Sequence, residues 1–126
     1  MRRMLLAVAA ILSFQSAASA QLPGPSRWTN QHGSELKIVS LAGGAFRGVF
    51  TNRNPAIGCV GIPYSVTGTN VSVQITFTVN FVKCGLTVKW QGDVQGFGMS
   101  TPWWVLTSVK GVAPPTLSGF DFFSRS

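Results

Sequence analysis

The sequence predicts an all-β protein, an eight-stranded antiparallel up-and-down β-barrel, and three observations carry that reading. After residue 20 no stretch keeps a helical period over eleven residues, whereas apolar and polar residues alternate in several runs. Clusters of Gly, Pro and Asn punctuate those runs at short intervals. Eight short strands in one small domain must also hide their edges, and closing into a barrel does so while leaving an interior fit for one small ligand. A β-sandwich uses the same period, but the short connections favour a meander.

The first twenty residues, "MRRMLLAVAAILSFQSAASA", stand apart from this pattern. Two arginines precede an apolar run from Met4 to Phe14, and Ala18 and Ala20 frame a small-residue cleavage signal. Residues 1–20 are therefore expected to be a secretory signal peptide cut after Ala20, placing the mature protein outside the cell or in the periplasm. The apolar run is about half the roughly 20 residues that cross a bilayer.

Residues 21–126 then form the barrel domain. Its strands are expected at Arg27–Asn30, Leu36–Ser40, Phe46–Asn52, Tyr64–Thr69, Trp103–Val109 and Thr116–Phe123, with two stronger runs between the fourth and fifth of these. In "VSVQITFTVNF", Val71, Val73, Ile75, Phe77, Val79 and Phe81 share one face. In "LTVKWQGDV", Leu86, Val88, Trp90 and Val94 do so. The turn signals are "QHGS", "AGG", "NPAIGCVGIP", "GTN", "VKCG", "QGFG" and "VKGVAPP".

The mature chain carries 8 basic residues against 3 acidic ones, a net charge of about +5. Such an excess can favour anionic partners, but Arg27, Lys37, Arg47, Arg53, Lys83, Lys89, Lys110 and Arg125 are scattered singly, without the cluster that nucleic-acid binding uses. Neither a nucleic-acid nor a membrane partner is expected. Cys59 and Cys84 are the two cysteines, and an even count in an exported chain reads as one disulfide. Closing a loop of that length stabilises by about 3 kcal/mol on the chain-entropy estimate. With a single histidine and no CxxC, no zinc set can be assembled.

That histidine, His32, stands close to Ser34 and Glu35 in "WTNQHGSELKI", which raises a Ser-His-acid hydrolase. The strand pattern argues against it. His32 falls in a turn and is expected to face solvent, Ser34 turns inward, and Glu35 faces the opposite way. No second acid/base pair exists among three acids, so no catalytic residue is expected.

"WTNQHGSEL", "GAFRGVF", "YSVTG", "FTVNF", the Trp90-Gln91-Gly92 step, "WWVLTS" and "LSGFDFF" resemble, in order, the motifs of the avidin and streptavidin biotin-binding proteins. The resemblance covers residues 26–123 and is nearest to the short bacterial members that form dimers. It implies the avidin-like barrel, biotin as the ligand with no cofactor, and a Cys59–Cys84 disulfide tying the loop after the third strand to the loop before the sixth. The "VKGVAPPT" loop lacks the tryptophan with which tetrameric members cap a neighbour's site, which implies a pocket complete within one chain.

Residue by residue, the resemblance implies that Asn30 and Ser34 donate to the ureido oxygen of biotin while Asn52 and Asp121 accept from its two N–H groups. An ionised Asp121 would make the stronger, charge-assisted bond. Phe81, Trp90 and Trp104 would wall the bicyclic ring. Trp104 and Asp121 are thus expected to face in. Trp103, Val105, Phe120 and Phe122 are expected to face out, forming an apolar patch suited to a homodimer interface. The disulfide would anchor the end of the loop Thr51–Cys59 near the barrel mouth, which favours preordering and leaves open whether the loop closes as a lid.

Four positions depart from the family pattern. Phe50 replaces a tyrosine that donates to the ureido oxygen, Val88 a threonine that meets the sulfur, and Leu86 a serine near the carboxylate, while Phe81 replaces a tryptophan. At about 1 kcal/mol per neutral hydrogen bond, three lost bonds weaken binding by roughly 3 kcal/mol, on the order of a hundredfold. The expectation is biotin binding below the family's strongest, with a different small apolar ligand as the alternative that Phe50, Leu86 and Val88 favour.

Overall fold

A computed structural model of the chain describes residues 22–108 and 118–126. The expected signal peptide, its cleavage site and the "VKGVAPP" loop lie outside these residues. Eight strands form one closed antiparallel barrel in sequence order: β1 Ser26–Asn30, β2 Glu35–Ala42, β3 Ala45–Thr51, β4 Pro63–Val71, β5 Gln74–Phe81, β6 Leu86–Gln95, β7 Gly98–Ser108 and β8 Ser118–Arg125. The barrel closes where β1 meets β8, with Trp28 opposite Arg125 and Asn30 opposite Phe123. A short 3₁₀ turn, Val82–Cys84, joins β5 to β6.

Alternation works as the sequence implies. Inward residues Leu36 and Ile38 of β2, Phe46 and Phe50 of β3, Ile75, Phe77, Val79 and Phe81 of β5, and Val88 and Trp90 of β6 are buried in one core. Two aliphatic residues outside the strands complete it. Leu22, whose N–H donates to Asn70 Oδ1 at 2.9 Å, packs into one end, and Ile57 of the β3–β4 loop packs in as well.

One expected strand face is too long. Val71 and Val73 are 67% and 40% exposed, because Val71 pairs with Gln74 across a tight turn at Ser72. The "GTN" stretch expected to turn instead continues β4. Asn70 is the reason: its Nδ2 donates to the carbonyls of Ser72 and Gln74, each at 3.0 Å, satisfying the turn two residues further on.

The paired tryptophans of β7 are reversed relative to expectation. Trp103, not Trp104, faces in: it lies opposite Trp90 and is 3% exposed, whereas Trp104 pairs with Lys89, whose Nζ sits 5.8 Å from its ring. The cause is a bulge. Pairing passes from Thr87 with Thr107 to Val88 with Val105, leaving Leu106 as an extra residue that flips the facing of everything before it. Val105 accordingly packs against the core rather than facing out.

Trp103 also explains Gly119, its partner on β8. A Cβ there would come within 2.5 Å of the Trp103 ring, so the indole occupies the space that the missing side chain leaves. Gly119→Ala should therefore destabilise the barrel by about 1–3 kcal/mol, as overpacked cores do. Urea denaturation of the purified variant checks this, and an unchanged midpoint would contradict the inward Trp103.

Candidate ligand-binding site

The β1–β2 turn, the β3–β4 loop and the 3₁₀ turn lie at the same end of the barrel as the start of β8. At that end the interior becomes polar: Asn30, Ser34, Asn52, Asn54 and Asp121 are all buried. Burying five polar side chains is costly unless they are paired, so their partners define what the site can do.

Asn30 ends β1 and organises the turn. Its Oδ1 accepts the backbone N–H groups of His32 at 3.0 Å and Ser34 at 2.9 Å, and Gly33 takes the positive φ of 82° that the reversal requires. Its Nδ2 is buried and has no hydrogen-bond partner, alone in this respect among the described residues. A buried amide donor left unpaired costs about 1–3 kcal/mol, a cost that a ligand acceptor would remove.

Ser34 Oγ accepts the N–H of Arg53 at 2.7 Å and donates to Asn52 Oδ1 at 3.3 Å. Asn52 is fully engaged. Its Oδ1 also accepts the N–H of Asn54, and its Nδ2 donates to the carbonyls of Asn54 at 2.9 Å and Gly58 at 2.7 Å. An amide oxygen offers two lone pairs, so the acceptor role expected of Asn52 is taken up by Ser34 and by Asn54 of its own loop. The loop is tied again by the N–H of Gly61 to the Asn52 carbonyl and by the disulfide between Cys59 and Cys84. It carries Ile57 into the core. The sequence signal for Ile57, an aliphatic residue inside the turn-rich "NPAIGC", is weak.

Asp121 is the focus of the site. Its side chain is 1% exposed; Oδ2 accepts the indole N–H of Trp90 at 2.8 Å, and Oδ1 accepts Gln31 Nε2 at 3.1 Å. Gln31 also donates to the Phe120 carbonyl at 2.7 Å and accepts the Phe122 N–H at 2.9 Å, so its amide serves β8 as a strand's peptide group would. Nothing in the alternation pattern marks Gln31 for this. His32 is exposed, as expected, and its Nε2 lies 3.8 Å from Asp121 Oδ1. Glu35 does face away, pairing with Arg27 at 3.3 Å.

Burial raises the Asp121 carboxyl above its ordinary value of 3.8, opposed more weakly by the Trp90 N–H, the charge of His32 and the nearby amides of Asn30 and Gln31.

The walls are aromatic and aliphatic. Phe50 lies at the centre, its ring 4.8 Å from Trp90 and 6.1 Å from both Phe77 and Phe81. Phe77 stacks on Trp90 at 5.1 Å. Phe50, Phe81, Val88 and Trp90 have no solvent exposure and Leu86 has 8%. Of the residues expected in the site, the structure thus gathers Asn30, Ser34, Phe50, Asn52, Phe81, Leu86, Val88, Trp90 and Asp121. Trp104 lies on the outer face, and Trp103 stands where it was expected.

A closed eight-stranded barrel with a polar group of this make-up at one end matches a known family. The sequence profile described as Avidin family matches residues 18–126. The chain belongs to the avidin family. Afifavidin of Afifella pfennigii is 34% identical over 89 residues, 67% of this chain and 56% of that relative, so the match spans little more than half the relative's length. The bradavidin2–biotin complex superposes with a TM-score of 0.74 at 38% identity, over 83% of this chain and 99% of that one. The short afifavidin–biotin complex does so with a TM-score of 0.73 at 28% identity, over 89% and 97%. The closed barrel and the Cys59–Cys84 disulfide that the resemblance implies are both present.

The raised Asp121 carboxyl has a stability consequence whose sign is fixed. A carboxyl raised in the folded state favours folding fully below its unfolded value and loses that contribution as pH rises through the folded value. At pH 7, above the unfolded value, the buried group therefore opposes folding. Asp121→Asn should raise the Tm of the ligand-free protein at pH 7, with the gap narrowing toward pH 4. Thermal melts of both proteins across that range check it, and a lower Tm at pH 7 would contradict the assignment.

Proposed function

We propose that this chain binds biotin inside its barrel, without catalysis, with an affinity below that of the family's strongest members. The observation that carries the reading is the pairing of opposites at the mouth: a buried, partnerless donor on Asn30 and a buried acceptor on Asp121. A cyclic urea offers an oxygen for the first and N–H groups for the second. Trp90 and Phe81, with Trp103 in the place expected of Trp104, supply the apolar wall. Biotin complexes of the related bradavidin2 and short afifavidin support the choice of ligand.

The remaining polar groups can follow by a swap. A hydroxyl hydrogen rotates at little cost. When Ser34 turns its hydrogen from Asn52 to the ureido oxygen, it frees a lone pair on Asn52 Oδ1 to accept a ureido N–H. Phe50 adds no hydrogen bond at the oxygen, Val88 none at the sulfur and Leu86 none near the carboxylate, which is the basis for the weaker affinity. The same three residues support a second reading, a small apolar ligand in place of biotin.

The expected signal peptide and the disulfide support export to the periplasm or outside. On the outer face, Phe120 and Phe122 are 45% and 61% exposed, with rings 4.7 Å apart, and Trp104 lies further along the neighbouring strand. Such a patch suits a homodimer. Sedimentation should show a dimer that Phe120→Ser with Phe122→Ser converts to monomer.

Retention on immobilised biotin, competed by free biotin, tests the main reading. Calorimetry showing no heat, together with no thermal shift in excess biotin, would sink it. Asn30→Ala is the sharper probe, because it removes the donor without adding a second carboxyl beside Asp121. It should keep the fold and weaken biotin by roughly tenfold to a hundredfold, the cost of an unmade buried hydrogen bond.

A further inference from the structure

We propose that His32 is a positioning residue of this site, holding Asp121 in its charged, hydrogen-bond-accepting form from the β1–β2 turn. The proposal rests on the biotin reading for its consequence but on this chain's own geometry for its substance. His32 Nε2 lies 3.8 Å from Asp121 Oδ1, and the two side chains differ sharply in exposure, 36% against 1%. The imidazole is open to solvent while the carboxylate beside it is sealed.

The turn fixes this arrangement. The His32 N–H is held by Asn30 Oδ1, and Gln31 spans to β8 on the other side, so the imidazole sits over the carboxylate as part of an ordered reversal. The groups facing Asp121 come from three sources: Asn30, Gln31 and His32 from β1 and its turn, Trp90 from β6, and Thr101 from β7, whose hydroxyl donates to the Asp121 carbonyl. His32 is the one titratable group among them.

The sign of the effect follows. Burial drives Asp121 toward its neutral form, and a neutral carboxyl is the weaker acceptor for a ureido N–H. A positive charge on the imidazole attracts the Asp121 carboxylate and keeps it ionised into more acidic solution. The same histidine that resembles a catalytic base thus extends the pH range over which the pocket accepts a urea.

The chain has two aspartates, Asp93 and Asp121, and one histidine, which makes the test clean. With aspartate labelled with carbon-13 at the side-chain carboxyl, the two signals are followed by NMR against pH in wild type, His32→Gln and His32→Lys, without ligand. The Asp121 midpoint should move to higher pH in His32→Gln and return toward wild type in His32→Lys, which carries a permanent charge. The acid limb of biotin affinity, measured by calorimetry, should move the same way. An Asp121 midpoint unchanged or lowered in His32→Gln overturns the proposal. Absence of biotin binding by wild type at every pH overturns the biotin reading instead, while the shifted carboxyl midpoint would still support the His32 coupling.

Discussion

A carboxylate sealed inside a barrel is the constraint around which the mouth of this protein is built. Asp121 has almost no contact with water, and an isolated charge in that position would be driven neutral. The partners that moderate the cost come from two other parts of the chain: Trp90 from β6, and Gln31 and His32 from the β1–β2 turn. They can converge only because β1 closes the sheet against β8, laying the turn over the strand that carries the carboxylate. Barrel closure is therefore a condition of the site as well as a solution to exposed edges.

Much of this was legible from period two alone. Ile75, Phe77, Val79 and Phe81, and Val88 and Trp90 opposite them, face in as alternation requires, because a strand between two neighbours has no other way to bury one face. What alternation could not show was a change of phase. Leu106 is one extra residue in β7, and it moves Trp104 to the outer wall and Trp103 into the core. Val71 and Val73 failed for a similar reason: β-branched residues flank a turn whose carbonyls are satisfied by Asn70 from within the preceding strand. Local composition sees the residue types, whereas the side chain that closes the turn is two positions away.

The site residues divide along the same line. Asn30, Ser34 and Asp121 were identifiable from motif order, and each is buried at the mouth. Gln31 and His32 were not, because their roles depend on β8, about 90 residues later in the chain. Asn52 is buried at the mouth too, but apart from the Ser34 hydroxyl its partners are the backbone of its own loop. A residue's location follows from its strand; its hydrogen bonds follow from what the fold brings opposite it.

The mouth is nearly saturated with its own bonds, and this bears on how tightly any ligand can be held. Ser34 and Asn52 use one another, and the Asn52 amide fastens the loop that delivers Ile57 to the core. Phe50, Phe81 and Trp90 contact one another without solvent between them. A ligand must therefore replace satisfied contacts rather than fill wet space, and only the surplus of new over old contacts appears as affinity. Asn30 Nδ2 is the exception, a donor the fold itself leaves unpaired. Yet the same amide lies near enough to Asp121 to favour its charged form, so an acceptor brought to Asn30 competes with that attraction rather than with a formed hydrogen bond.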